Sequence, residues 1–151
     1  MQFDPLTTEF WIEIGVSILC GSIIGIEREL NRKPIGVRTC VLVCLGTALF
    51  VRMGSLVATE NSDPTRIIGQ IVSGIGFLGG GVILARGEVV TGVTTASIVW
   101  LLAAIGTMVG AGQFSAAVVV STLAVLTLLG IDGLEIVITK VREHRRKGKD
   151  E

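Results

Sequence analysis

Glu13, Glu27, Arg28 and Arg52 are ionisable residues set in almost unbroken apolar sequence. A charge inside a bilayer is costly, so such residues pair, reach the surface, or line an ion or proton path. Glu13, Ser17, Cys20, Gly21, Glu27 and Arg28 recur at helical spacing and share one face. Arg52 has two options: its stem carries the guanidinium to the interface, or it pairs with Glu13. Glu27 and Arg28 either anchor a helix end among headgroups or engage polar groups there, with Arg38 and Thr39 the nearest candidates. Arg66, Gln70, Thr94 and Thr95 complete the polar candidates at or near membrane depth.

Other chemistry is sparse. Cys40 and Cys44 stand four apart, a spacing that suits either a soft-metal pair or small apolar packing residues, the reading preferred here and for Cys20. The metal question stays open. The one histidine, His144, lies in the basic C-terminal segment. With no nucleophile–base constellation, no catalytic residue and no cofactor are expected, and an enzyme is the least favoured class.

These residues need elements to hold them. The chain is 50% hydrophobic and only 17% charged, and its charges cluster between long apolar runs. That pattern marks a membrane protein. Five runs approach the roughly 17–25 residues a span needs: Phe10–Ile26, Thr39–Val57, Ile67–Ala85, Gly92–Gly112 and Phe114–Ile131, the last extending as far as Ile136. The alternation of a barrel strand is absent, so an all-α bundle of five transmembrane helices is expected. A transmembrane domain over 1–138 is followed by a basic tail over 139–151. The opening MQFDPLTTEF has no basic n-region, so the first helix is expected to be retained.

Of the 13 lysines and arginines, all but Arg52 and Arg66 fall on one side of this arrangement. The positive-inside rule then puts the N-terminus outside and the C-terminus in the cytoplasm. The tail suits an anionic leaflet; nucleic-acid binding is not expected of so short a juxtamembrane run. Trp11 fits an outer aromatic belt, while Trp100 is expected between helices. Asp63 and Pro64 read as a cap for helix three, answered by Arg66. Asp132 and Glu135 read as interfacial.

Glycine is abundant at 20 residues, and it is concentrated in the membrane runs. On helix three, Gly69, Ser73, Gly76 and Gly80 fall within about 60° of one another. Gln70, Gly74, Phe77 and Gly81 form a second stripe; Ile71, Ile75, Leu78 and Val82 form a third. Small residues let helix backbones approach closely in lipid. Helix three is therefore expected at the centre of the bundle. Gly92, Ala96, Ala103, Gly106 and Gly110 repeat the device on helix four, and Gly21 and Gly25 on helix one. Two small-residue stripes in so short a chain also predict a homo-oligomer, a two-fold dimer by preference. A faint repeat is visible: GIERELNRKPIGVRT before helix two and ILARGEVVTGVTT before helix four both end in Gly-Val-x-Thr. Parallel repeats of this kind occur in transporters.

The segments IGIERE, GVRT, DPTRIIGQIVSGIGFLGGGVIL, GVTTASIVW and AAIGTMVGAGQF, in that order, resemble the MgtC/SapB family of bacterial inner-membrane proteins. The resemblance runs from about Gly21 to Phe114, and the helix-three motif with Arg66 and Gln70 is its most specific part. It implies a multi-pass protein of the bacterial inner membrane linked to growth in low magnesium, acid tolerance and virulence. It also implies regulation of a partner, the proton-translocating ATP synthase, through its membrane sector. Many members carry a soluble C-terminal domain, which this chain, ending at Glu151, is expected to lack. Two classes remain: a non-enzymatic regulator of another membrane protein, or a small ion transporter or channel with its path between the glycine-rich helices.

Overall fold

The computed structural model describes the backbone of residues 4–59, 63, 65–86 and 89–147, and the side chains of these except 85, 86 and 132–147. Five helices follow one another: α1 (Thr8–Leu30), α2 (Val37–Val57), α3 (Thr65–Val82), α4 (Val93–Gly110) and α5 (Phe114–Lys147). Between α3 and α4 lies an antiparallel hairpin, β1 (Leu84–Arg86) with β2 (Val89–Thr91), paired Leu84 to Thr91 and Arg86 to Val89. The apolar run Ile67–Ala85 does not reveal the hairpin, because three-residue strands are too short to show a period of two.

Helices α1, α2, α4 and the apolar part of α5 are long and apolar enough to cross a membrane. Helix α3, carrying Arg66 and Gln70, falls outside that set. Large aliphatics such as Ile18, Leu19, Leu42 and Leu126 face outward, while small residues and a few branched aliphatics fill the interior. This is the distribution expected where lipid, and not water, surrounds the helices.

The core sits where α1, α2 and α4 meet, with α5 against α1. Its contacts are set by four glycines. A Cβ on Gly21 would come within 2.6 Å of Val41 Cα, and one on Gly25 within 2.5 Å of Val37 Cα. A Cβ on Gly106 would strike the Cys44 carbonyl, and one on Gly110 would lie 2.5 Å from the Ala48 carbonyl. So α2 is clasped by α1 on one side and α4 on the other.

Helix α3 corrects the sequence reading. It packs on α4 and touches α2 lightly, and only Ile75 and Gly79 are buried. Gly69, Gly74, Gly76, Gly80 and Gly81 have nothing within 4 Å of a built Cβ, and Ser73 is exposed. Helix α3 is therefore at the periphery, and its glycine stripes close no contact among the described residues. Spacing shows that small residues share a face; it does not say that a neighbour lies there. The close contact to α3 is made at a glycine outside those stripes, Gly54 of α2, whose missing side chain leaves room for Ile67. Trp100 is likewise on the outside, 53% exposed, and not between helices.

Helix ends follow local chemistry. Arg32 adopts φ 52°, and the bonds Lys33 N to Arg28 O and Arg32 N to Glu29 O close a Schellman turn after α1. Gly112, at φ 78°, does the same after α4. The two Gly-Val-x-Thr copies also match locally: Gly36 and Gly92 are the N-caps of α2 and α4. Only Gly92, at φ 89°, is held in the left-handed region, where its Cβ would collide with the Val82 carbonyl. Side chains beyond Ile131, including Asp132, Glu135 and the basic tail, lie outside the described residues, as does Pro64.

Candidate functional site

The polar face of α1 is buried along its length and ends in two separate polar groups. From residue 13 to residue 28 the rise is roughly 22 Å, so the groups sit near opposite ends of the span.

The first group is an ion pair. Arg52 Nε donates to Glu13 Oε2 at 2.7 Å; Glu13 is 1% exposed and the Arg52 side chain 20%. Of the two options open to Arg52, pairing is the one adopted. Ser17 beneath it donates to the Glu13 carbonyl, which leaves the carboxylate without help from that hydroxyl. Glu13 Oε1 has no partner among the described residues. Below the pair, Cys20, Cys40 and Cys44 are fully buried free thiols. Among the described residues no group of three or more His, Cys, Asp or Glu side chains is gathered as a metal site.

The second group sits at the other end. Arg28 is 3% exposed, and its Nη2 donates to Thr95 Oγ1 at 3.3 Å. Glu27 Oε1 accepts from Asn31 Nδ2 at 2.7 Å. Arg28 Nε and Glu27 Oε2 have no partner among the described residues. Arg38 and Thr39, expected to be the nearest partners of this pair, are exposed instead. Val37, Cys40 and Val41 are the α2 residues set against α1, which leaves Arg38 and Thr39 on other faces of α2, and the partner of Arg28 comes from α4. Asn31 and Lys33 were missed; the i, i+4 step from Glu27 to Asn31 was the available signal for the first.

Arg28, Lys33, Thr94 and Thr95 line a cleft of about 470 Å³, together with Leu128 and Ile131 of α5. Two helix N-termini face this end of the molecule, and they are treated differently. The α2 terminus is capped by Glu29, whose Oε2 accepts from Val37 N at 3.2 Å. The α4 terminus has Gly92 as N-cap, with no side-chain cap bond.

Arg66 and Gln70 belong to neither group. They are exposed on α3 and line, with Thr47 and Phe50, a cleft of about 530 Å³ between α2 and α3. Ahead of them, Asp63 accepts from Thr65 Oγ1 at 2.6 Å and Thr65 N at 2.9 Å. The Thr65 hydroxyl first, then its N–H and the Arg66 charge, hold the Asp63 carboxyl below its ordinary range.

Apolar helices clasped through glycine, with a charged pair buried between them, define a multi-pass membrane protein. The chain belongs to the MgtC family, whose family model matches residues 14–136. It is 48% identical over 103 residues to protein MgtC of Brucella abortus, covering 68% of this chain and 43% of that one. It is 33% identical over 155 residues to protein SapB of Bacillus subtilis, covering 97% of this chain and 64% of that one. A protein of Escherichia coli named as a putative magnesium transporter, YhiD, is 38% identical over 131 residues, covering 82% of this chain and 60% of that one. The chain thus spans less than two thirds of each of these relatives. No solved structure matches it.

Proposed function

We propose that this protein is a non-enzymatic regulator in the bacterial inner membrane, serving adaptation to magnesium limitation and acid by docking on another membrane protein. The observation that carries the docking is the outer position of α3, whose glycine–serine stripes meet nothing among the described residues. In lipid such a stripe is suited to receive a second helix. Membership of the MgtC family supports the link to magnesium. The membrane sector of the ATP synthase is the proposed partner, and a two-fold dimer of the chain is a second occupant of the same surface. In this reading α3 crosses the membrane as a fifth span, with the N-terminus outside and the C-terminus in the cytoplasm, as the charge bias supports.

A transporter reading is supported by the name of the Escherichia coli relative and by the cleft beside Arg66 and Gln70. One experiment separates the two. Gly76→Leu combined with Gly80→Leu adds bulk where no described residue is in the way. The variant should reach normal abundance in the membrane. It should lose both support of growth in low magnesium and any effect on ATP-driven proton pumping in inverted vesicles. Purified wild type in liposomes should carry no selective ion flux. Normal growth of the variant at normal abundance removes the docking reading, and robust flux replaces it with transport.

A further inference from the structure

The cleft at the α4 N-terminus holds more positive potential than its neighbours use. Val93, Thr94 and Thr95 form the first turn of α4, so their backbone N–H groups have no intrahelical acceptor. No described residue outside the helix accepts from them, and Gly92 has no side chain with which to cap them. The aligned peptide dipoles of this 18-residue helix leave a partial positive charge there.

A second observation is independent of the helix. The Arg28 guanidinium is 3% exposed and reaches into the same first turn, to Thr95 Oγ1. Among the described residues it has no carboxylate within 4 Å, and its Nε has no hydrogen-bond partner. A buried cation held this way, facing a second source of positive charge, is unfavourable unless an anion joins them. Thr95 accepts from Arg28, which leaves its own hydroxyl proton free to donate. Lys33 stands at the rim of the cleft as a further cation. At the α2 terminus the same need is met within the chain, by Glu29. At the α4 terminus nothing in the described chain meets it.

We propose that this cleft binds a phosphate group. Backbone N–H groups at a helix start, an arginine fork, a hydroxyl and an ammonium are donors of the kind that several phosphate oxygens can engage together. Leu128 and Ile131 supply an apolar wall, and the cleft, at about 470 Å³, is larger than a bare phosphate requires. An anionic phospholipid, with its phosphate on the α4 terminus and its glycerol and chains along α5, fills both parts. A basic pocket between membrane helices is the expected receiver of such a headgroup. The inference stands apart from the role in magnesium adaptation and from the docking surface on α3.

The full chain in a neutral detergent tests it, by following the thermal unfolding midpoint against three probes. These are dioctanoyl phosphatidylglycerol, inorganic phosphate, and dioctanoylglycerol, which lacks the phosphate. A saturable rise with phosphatidylglycerol and none with dioctanoylglycerol is expected. If inorganic phosphate reproduces that rise at the same concentrations, the phosphate site stands and its source is soluble phosphate. Lys33→Gln, at an exposed position, should weaken the effect about tenfold, the loss of one charge-assisted contact. Arg28→Gln should abolish it. Should Arg28→Gln fail to fold, Lys33→Gln combined with Thr94→Val, both at exposed positions, decides in its place. An equal response to dioctanoylglycerol, no saturable response to either phosphate probe, or wild-type binding by the folded variants overturns the proposal.

Discussion

Arg52→Met removes the cation from the Glu13 pair and keeps most of the stem. In the wild type Glu13 is 1% exposed and receives one charge-assisted bond, at 2.7 Å. Without it the carboxylate is buried with neither oxygen partnered among the described residues, since Oε1 already lacks one there and Ser17 is turned to the backbone. Breaking a buried pair by deleting one member costs about 3–5 kcal/mol. Arg52 is 20% exposed, so water reaches one side of the pair, and the lower end, about 3 kcal/mol, is expected. The reverse change is milder. Glu13→Gln leaves a long arginine able to turn toward the interface, at about 1 kcal/mol. The double variant Glu13→Gln with Arg52→Met buries no charge and should lie within about 1 kcal/mol of wild type. The assay is reversible unfolding by a denaturing detergent in mixed micelles, read by circular dichroism, for all four members of the cycle. The expected order has Arg52→Met the least stable and partly rescued by Glu13→Gln. An Arg52→Met protein as stable as wild type, or one not rescued by the second change, would refute the pairing as an element of stability.

Two further outcomes follow from the packing and the helix ends. Gly106→Ala places a methyl against the Cys44 carbonyl and near Thr47 Cβ, so α2 and α4 must part; a loss of about 1–3 kcal/mol is expected in the same unfolding assay. Arg32→Gly relieves a left-handed residue of its Cβ penalty, about 1–2 kcal/mol, against the greater freedom of glycine in the unfolded chain. A net gain of up to about 1 kcal/mol is expected, read as a raised unfolding midpoint, and a loss would argue against that turn.

Much of the local structure was legible without any fold. The apolar runs placed the helices because a span must be long and uncharged, and the period of 3.6 put Glu13, Ser17, Cys20, Gly21, Glu27 and Arg28 on one face. The two Gly-Val-x-Thr copies stand at two helix starts, where Gly36 and Gly92 are the N-caps and only Gly92 adopts a backbone that favours glycine. These are properties of a single segment, and the sequence contains them. What a face meets is another matter. Gly106 and Gly110 lie against α2 while Gly76 and Gly80 lie against none of the described residues, although their spacings are alike. Arg28 reaches Thr95, 67 residues away, and not the nearby Thr39. Glu13 finds Arg52, 39 residues away, for the same reason: α1 and α2 run antiparallel and in close contact, which brings the start of α1 beside the end of α2. Periodicity sorts residues into faces, but only the packing of the helices on one another chooses which faces are closed. In this protein that choice left the glycine stripes of α3 and the start of α4 without a partner among the described residues.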